Sequence, residues 1–129
     1  MPDADDAQLR RIVLDAAREL NAGRFFEAHE ELEEHLDDVP DAWWPLFLGL
    51  IQVVVGYHKL SSGNEGALRM LGIGLEKLAP FADDVLGIDV GALRRRAMLD
   101  LDRLEQHDVA GALAGLATDP PRLLPVVAH

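Results

Sequence analysis

The chain has 129 residues, a formal net charge of −11 and no cysteine. That length suits one domain with a real core, and the apolar fraction of 49% is that of a globular protein rather than a disordered one. Without cysteine there are no disulfides, no thiol nucleophile and no thiolate metal site, so any metal ligand must be His, Asp or Glu. The acidity argues against a nucleic-acid partner, which requires a basic patch. Absent disulfides, and an acidic rather than apolar start (Met1-Pro-Asp-Ala-Asp-Asp), lead us to expect a cytoplasmic protein.

Apolar spacing predicts a first helix over about 6–21, on Leu9, Ile12, Val13, Ala16 and Leu20. Asp3, Asp5 and Asp6 serve its start, and Asn21-Ala22-Gly23 its end. A second helix is expected over about 24–37, stopped by Val39-Pro40. A third starts behind Asp41 as N-cap and runs to about Ser61, with Pro45 near its first turn. Ser62-Gly63-Asn64 turns the chain into a fourth helix, capped by Asn64 and lasting to about Ala79. A loop rich in Asp and Gly leads to a fifth, capped by Asp89, over about 90–106. A short sixth covers about 109–116, and the tail from Thr118, with Pro120, Pro121 and Pro125, is expected to be extended. Arg94-Arg95-Arg96 reads as a solvated, salt-bridged face with Asp100 and Asp102 nearby.

The third helix has almost no polar face, from Trp43 to Tyr57. It is too short for a membrane span of about 20 residues, so it belongs at the centre of a bundle, or is also covered by a second subunit in a homodimer. Gly49 and Gly56 share one face and allow close approach of another helix; Gly72 and Gly74 are expected to do the same on the fourth. A weak echo with a period of roughly 40 residues runs through Gly23…Ala28…Leu32, Gly63…Ala67…Leu71 and Asp108…Ala112. It reads either as stacked helical hairpins or as a chance outcome of short turns.

The chemistry concentrates in Phe25 to Glu34. On a helical wheel Phe25, Leu32 and Leu36 form the apolar stripe, with Ala28 flanking it. His29 falls within that stripe and Glu33 at its edge, while Glu27, Glu31 and Glu34 point to solvent. The i,i+4 spacing sets His29 and Glu33 side by side, as helices present pairs of metal ligands. His58, on the same face as Phe47, Ile51 and Val54, is expected to point into packing and supply a third ligand. Gln52 is the other polar residue of the apolar run, about 120° from His58. The competing reading is a hydrogen-bonded His29–Glu33 pair that only fixes packing. Position 33 is Glu where a zinc-protease helix has its second His. Gly-rich phosphate loops and serine triads have no match here.

The segments Phe26-Glu27-Ala28-His29-Glu30, Leu32-Glu33, Gly49-Leu50-Ile51-Gln52, His58, Gly63-Asn64 and Ala67-Leu68 resemble the prokaryotic family known as domain of unknown function 309, over about residues 9–81. The resemblance implies an all-helical fold and a signature of His, then Glu four residues on, then an aromatic three further, for which metal binding has been suggested. His29 and Glu33 occupy the first two positions. Leu36 stands in place of the family's Trp or Tyr, and Leu48 where a polar residue is expected.

Together these give one all-α domain over 1–129, a compact antiparallel bundle of five to six helices around a central apolar helix, with its core in about 6–116 and a tail over 118–129. The site is read as His29, Glu33 and His58 around a divalent metal ion, with Gln52 adjacent and Glu30 as the base of a metal-assisted hydrolysis. The alternative is a non-catalytic helical-hairpin interaction module in which the His/Glu pair is structural.

Overall fold

The computed structural model describes residues 5–126; the expected cap at Asp3 and the last three residues of the tail lie outside them. Six helices account for most of the described chain: α1 Asp6–Asn21, α2 Phe25–Glu34, α3 Trp44–Ser61, α4 Gly66–Leu78, α5 Val90–Glu105 and α6 Val109–Thr118. Asp5 closes a reciprocal capping box with Gln8 at the start of α1. Asn64 Oδ1 accepts from Gly66 N, and Asp89 Oδ1 from Ala92 N. Asp41 does not cap α3. It opens a short 3-10 turn, Asp41–Trp43, that runs directly into the helix. Likewise α2 stops at Glu34 and tightens into a 3-10 turn over Leu36–Asp38 before Pro40.

Among the described residues the chain forms three helical hairpins closed by one repeated turn. After α1 the amide of Gly23 donates to Leu20 and that of Arg24 to Glu19; after α3, Gly63 donates to Leu60 and Asn64 to Lys59; after α5, His107 donates to Leu104 and Asp108 to Arg103. This pairing satisfies the last carbonyls of a helix and places one residue in the left-handed region. Gly23 and Gly63 take that conformation freely, but the third turn has His107 at φ 60°. The sequence echo is therefore a structural repeat.

α3 lies at the centre. Phe47, Leu50, Val53, Val54, Tyr57 and Leu60 are buried. α4 crosses it closely because glycines meet at the crossing: a methyl group at Gly74 would lie 2.8 Å from the Val53 backbone nitrogen and 2.9 Å from the Gly49 carbonyl oxygen. Gly49 and Gly56 receive the side chains of Leu78 and Leu71. Gly72, expected to act likewise, faces open space. The other helices cover more of α3 than its sequence alone suggests, leaving Trp44, Leu48, Gln52 and Val55 half-buried along one stripe. Among the described residues no helix is long and apolar enough to cross a membrane.

The expected loop before α5 contains a small antiparallel hairpin, β1 Asp84–Val85 and β2 Ile88–Asp89. The tail extends it: Asp89 N donates to Leu124 O, and Val126 N to Gly87 O. Leu123 is buried, and its backbone exchanges two hydrogen bonds with the Asn21 side chain. The extended tail thus joins the core instead of trailing from it.

Candidate functional site

α2 packs on α3 through Phe25, Ala28 and Leu32, and the Phe25 ring stacks on Tyr57 with centroids 5.8 Å apart. His29 lies one step round the helix from that stripe. It is half-buried, at the border of the stripe rather than within it, because α3 covers the Phe25–Ala28–Leu32 side. Its Nε2 stands 2.7 Å from Glu33 Oε2, an i,i+4 pair with side-chain exposures of 24% and 57%. Glu30 is exposed on the same helix.

His58 departs from expectation. It is exposed, not packed. α2 covers the neighbouring side of α3, so the last turns of α3 show His58 to solvent. The Phe26 ring, 48% exposed, tilts against both imidazoles, at 6.1 Å from His29 and 5.7 Å from His58. The structure thus groups Phe26, His29, Glu33 and His58 at one edge of the packing of α2 on α3. Gln52 is half-buried, and its Oε1 is shut away from solvent with no hydrogen-bond partner among the described residues. Among those residues no three His, Asp or Glu side chains are gathered as a metal would require. Leu36 is half-buried against the core.

A second constellation escaped the sequence reading. Asp100 is buried to 1% exposure, and its Oδ2 accepts from Tyr57 Oη at 2.6 Å and from Arg96 Nε at 2.9 Å. Arg103 stands 3.7 Å from Oδ1, which accepts no hydrogen bond among the described residues. Arg96 also reaches Gly115 O, at 3.4 Å, and Asp119. A carboxylate on α5 therefore ties α3 to α6. Burial pushes the Tyr57 phenol far up; the Asp100 charge and hydrogen bond act the same way, and Arg96 opposes them.

The three-arginine run is accordingly not a uniform solvated face. Arg94 and Arg96 are only 18% exposed, and Arg94 donates to the carbonyls of Leu78 and Phe81 and to Asp83; Arg95 alone is turned out to solvent. The available signal was periodicity, since Asp100 occupies the helical stripe of Leu93, Ala97 and Leu104.

Residues 13–71 match the family model described as Domain of unknown function (DUF309). The matched span runs from α1 into α4 and contains His29, Glu33, Gln52 and His58, while Asp100 and Arg96 lie beyond it. Neither the curated proteins nor the solved structures contain a match to this chain.

Proposed function

We propose that this chain, which matches the DUF309 family model over residues 13–71, binds a divalent metal ion at the edge where α2 packs on α3, with His29 and Glu33 as the resident ligands and His58 as the third. One observation carries the reading: an imidazole nitrogen and a carboxylate oxygen face each other at 2.7 Å across one helical turn. Ligand atoms that share a zinc ion tetrahedrally at about 2.0–2.2 Å stand about 3.3–3.6 Å from one another. Exchanging the shared proton for a metal therefore asks this pair to open by somewhat under about 1 Å. His58 is exposed and Phe26 is half-exposed, so both are free to change rotamer and let the third ligand join on binding. The net charge of −11 concentrates cations around the protein. When bound, such an ion supplies Lewis acidity at an open, water-accessible position.

A second reading is favoured by Phe26. A large aromatic ring held in solvent on a helical hairpin is the kind of anchor that protein interfaces bury. In that reading the chain is a non-catalytic interaction module and the His29–Glu33 pair orients the ring.

Calorimetric titration of Zn²⁺, Mn²⁺ and Ni²⁺ into protein purified without a histidine tag, parent and His29→Ala, separates the two. The metal reading expects binding by the parent, its loss in the variant, and a metal-dependent rise of melting temperature in the parent only. Indistinguishable titrations of the two proteins remove it and leave the interaction module standing.

A further inference from the structure

The packing of α4 against α5, away from His29, Glu33 and His58, carries a second feature. Leu68, Gly72 and Leu75 on α4, and Met98, Leu101 and Glu105 on α5, recur at helical spacing along the facing edges of the two helices. Two open depressions of about 600 and 570 Å³ lie there and share Leu68 and Glu105 as lining residues, so that together they make one trough. No segment of the described chain fills it. Met98 is 53% exposed, Leu68 39% and Val109, at the far end, 44%. Gly72 has no atom within 4 Å of where a Cβ would stand, so the floor of the trough admits close approach of another backbone.

The charges along the trough select the occupant. Glu65, Glu76 and Glu105 border it and form no ion pair among the described residues. Of its two arginines, Arg94 is committed to Asp83 and to the Leu78 and Phe81 carbonyls, which leaves Arg69 alone against three carboxylates. The stripes run over seven residue steps of helix, about 10 Å, the length of two turns. We infer that this α4–α5 trough docks a basic amphipathic helix of a partner protein, its apolar stripe on Leu68, Met98 and Val109 and its lysines or arginines against Glu65, Glu76 and Glu105. A second copy of this chain would bring another −11 to an acidic rim, and an anionic membrane surface would be repelled in the same way.

The test uses the full chain and a fluorescein-labelled Leu/Lys peptide of roughly 18 residues, about 27 Å when helical, with leucines at i, i+3, i+4 and i+7. A scrambled peptide of equal composition and anionic lipid vesicles serve as comparisons. Fluorescence polarisation should show saturable binding of the striped peptide. Met98→Lys, at an exposed position that folding tolerates, should weaken it at least tenfold, and Glu105→Gln should weaken it several-fold. Phe26→Ala should leave it unchanged, which separates this surface from the α2–α3 site. Equal affinity for the scrambled peptide, unchanged binding by Met98→Lys, preferred binding to the vesicles, or a homodimer that Met98→Lys dissociates would each overturn the proposal.

Discussion

Tyr57→Phe should destabilise the fold by about 1.5–2 kcal/mol without altering its shape. The phenylalanine ring keeps the stacking on Phe25, so no cavity forms, and only the hydroxyl that donates to Asp100 at 2.6 Å is removed. A hydrogen bond to a charged acceptor contributes about 1.5–3 kcal/mol. The lower part of that range applies because Arg96 Nε still donates to the same oxygen at 2.9 Å, and Asp100 is not stranded. Asp100→Ala should be worse, about 3–5 kcal/mol, since it leaves the Arg96 charge and the Tyr57 hydroxyl without their common partner in a buried place. Urea denaturation at neutral pH measures both, and an unchanged slope with denaturant would show that the native and unfolded states are otherwise the same. The pH dependence follows with a definite sign. The folded phenol lies above its unfolded value near 10, so its contribution is complete below about pH 10 and is lost as pH rises beyond it. Tyr57→Phe should remove that alkaline loss. Tyr57 is the chain's one tyrosine, so phenolate absorbance should appear only on unfolding. A Tyr57→Phe protein within about 0.5 kcal/mol of the parent, or Asp100→Ala no less stable than Tyr57→Phe, refutes the argument.

Gly74→Ala drives a methyl group into the backbone of α3 and should cost about 1–3 kcal/mol, more than the roughly 1 kcal/mol that alanine gains in helix propensity. Gly72→Ala, in open space, should show that gain alone, and melting curves that rank the two variants the other way would reject the close crossing of α3 and α4. His107→Gly relieves a left-handed residue at the third hairpin turn. It should stabilise by about 1 kcal/mol, the conformational relief less the extra chain entropy of glycine; a lower melting temperature contradicts this. For association, we expect a homodimer through the half-buried stripe of Leu48, Gln52 and Val55 on α3. Val55→Lys should make it monomeric in light scattering, and a parent already monomeric at high micromolar concentration rules the dimer out.

Within the candidate site, the contact between His29 and Glu33 was legible because i,i+4 neighbours meet on any α-helix, whatever surrounds it. The direction of His58 was not. Its helix is apolar nearly all round, so periodicity names no solvent side, and the placement of α2 decides which residues are left outside. Asp100 was overlooked for another reason: it lies on the stripe of Leu93, Ala97 and Leu104, but a carboxylate followed by an arginine three residues on reads as a surface pair until α3 supplies a tyrosine to bury it against.

What the sequence determined by itself is local. Apolar period, Asp and Asn caps, and glycines at the first two hairpin turns each act through bonds spanning a few residues, and they specified six helices while leaving open whether the turns repeat. Tertiary structure decided the rest. The tail pairs with the Asp84–Asp89 hairpin only because segments distant in sequence meet there, and the Asn21 side chain holds the backbone of buried Leu123. Arg94 and Arg96 turn inward for the same reason: their acceptors at Leu78, Phe81 and Gly115 are brought to them by packing. Burial of a polar group depends on its neighbours across the fold: the period of α5 puts Asp100 on the apolar stripe, but only the packing of Tyr57 against it makes that place a satisfied one.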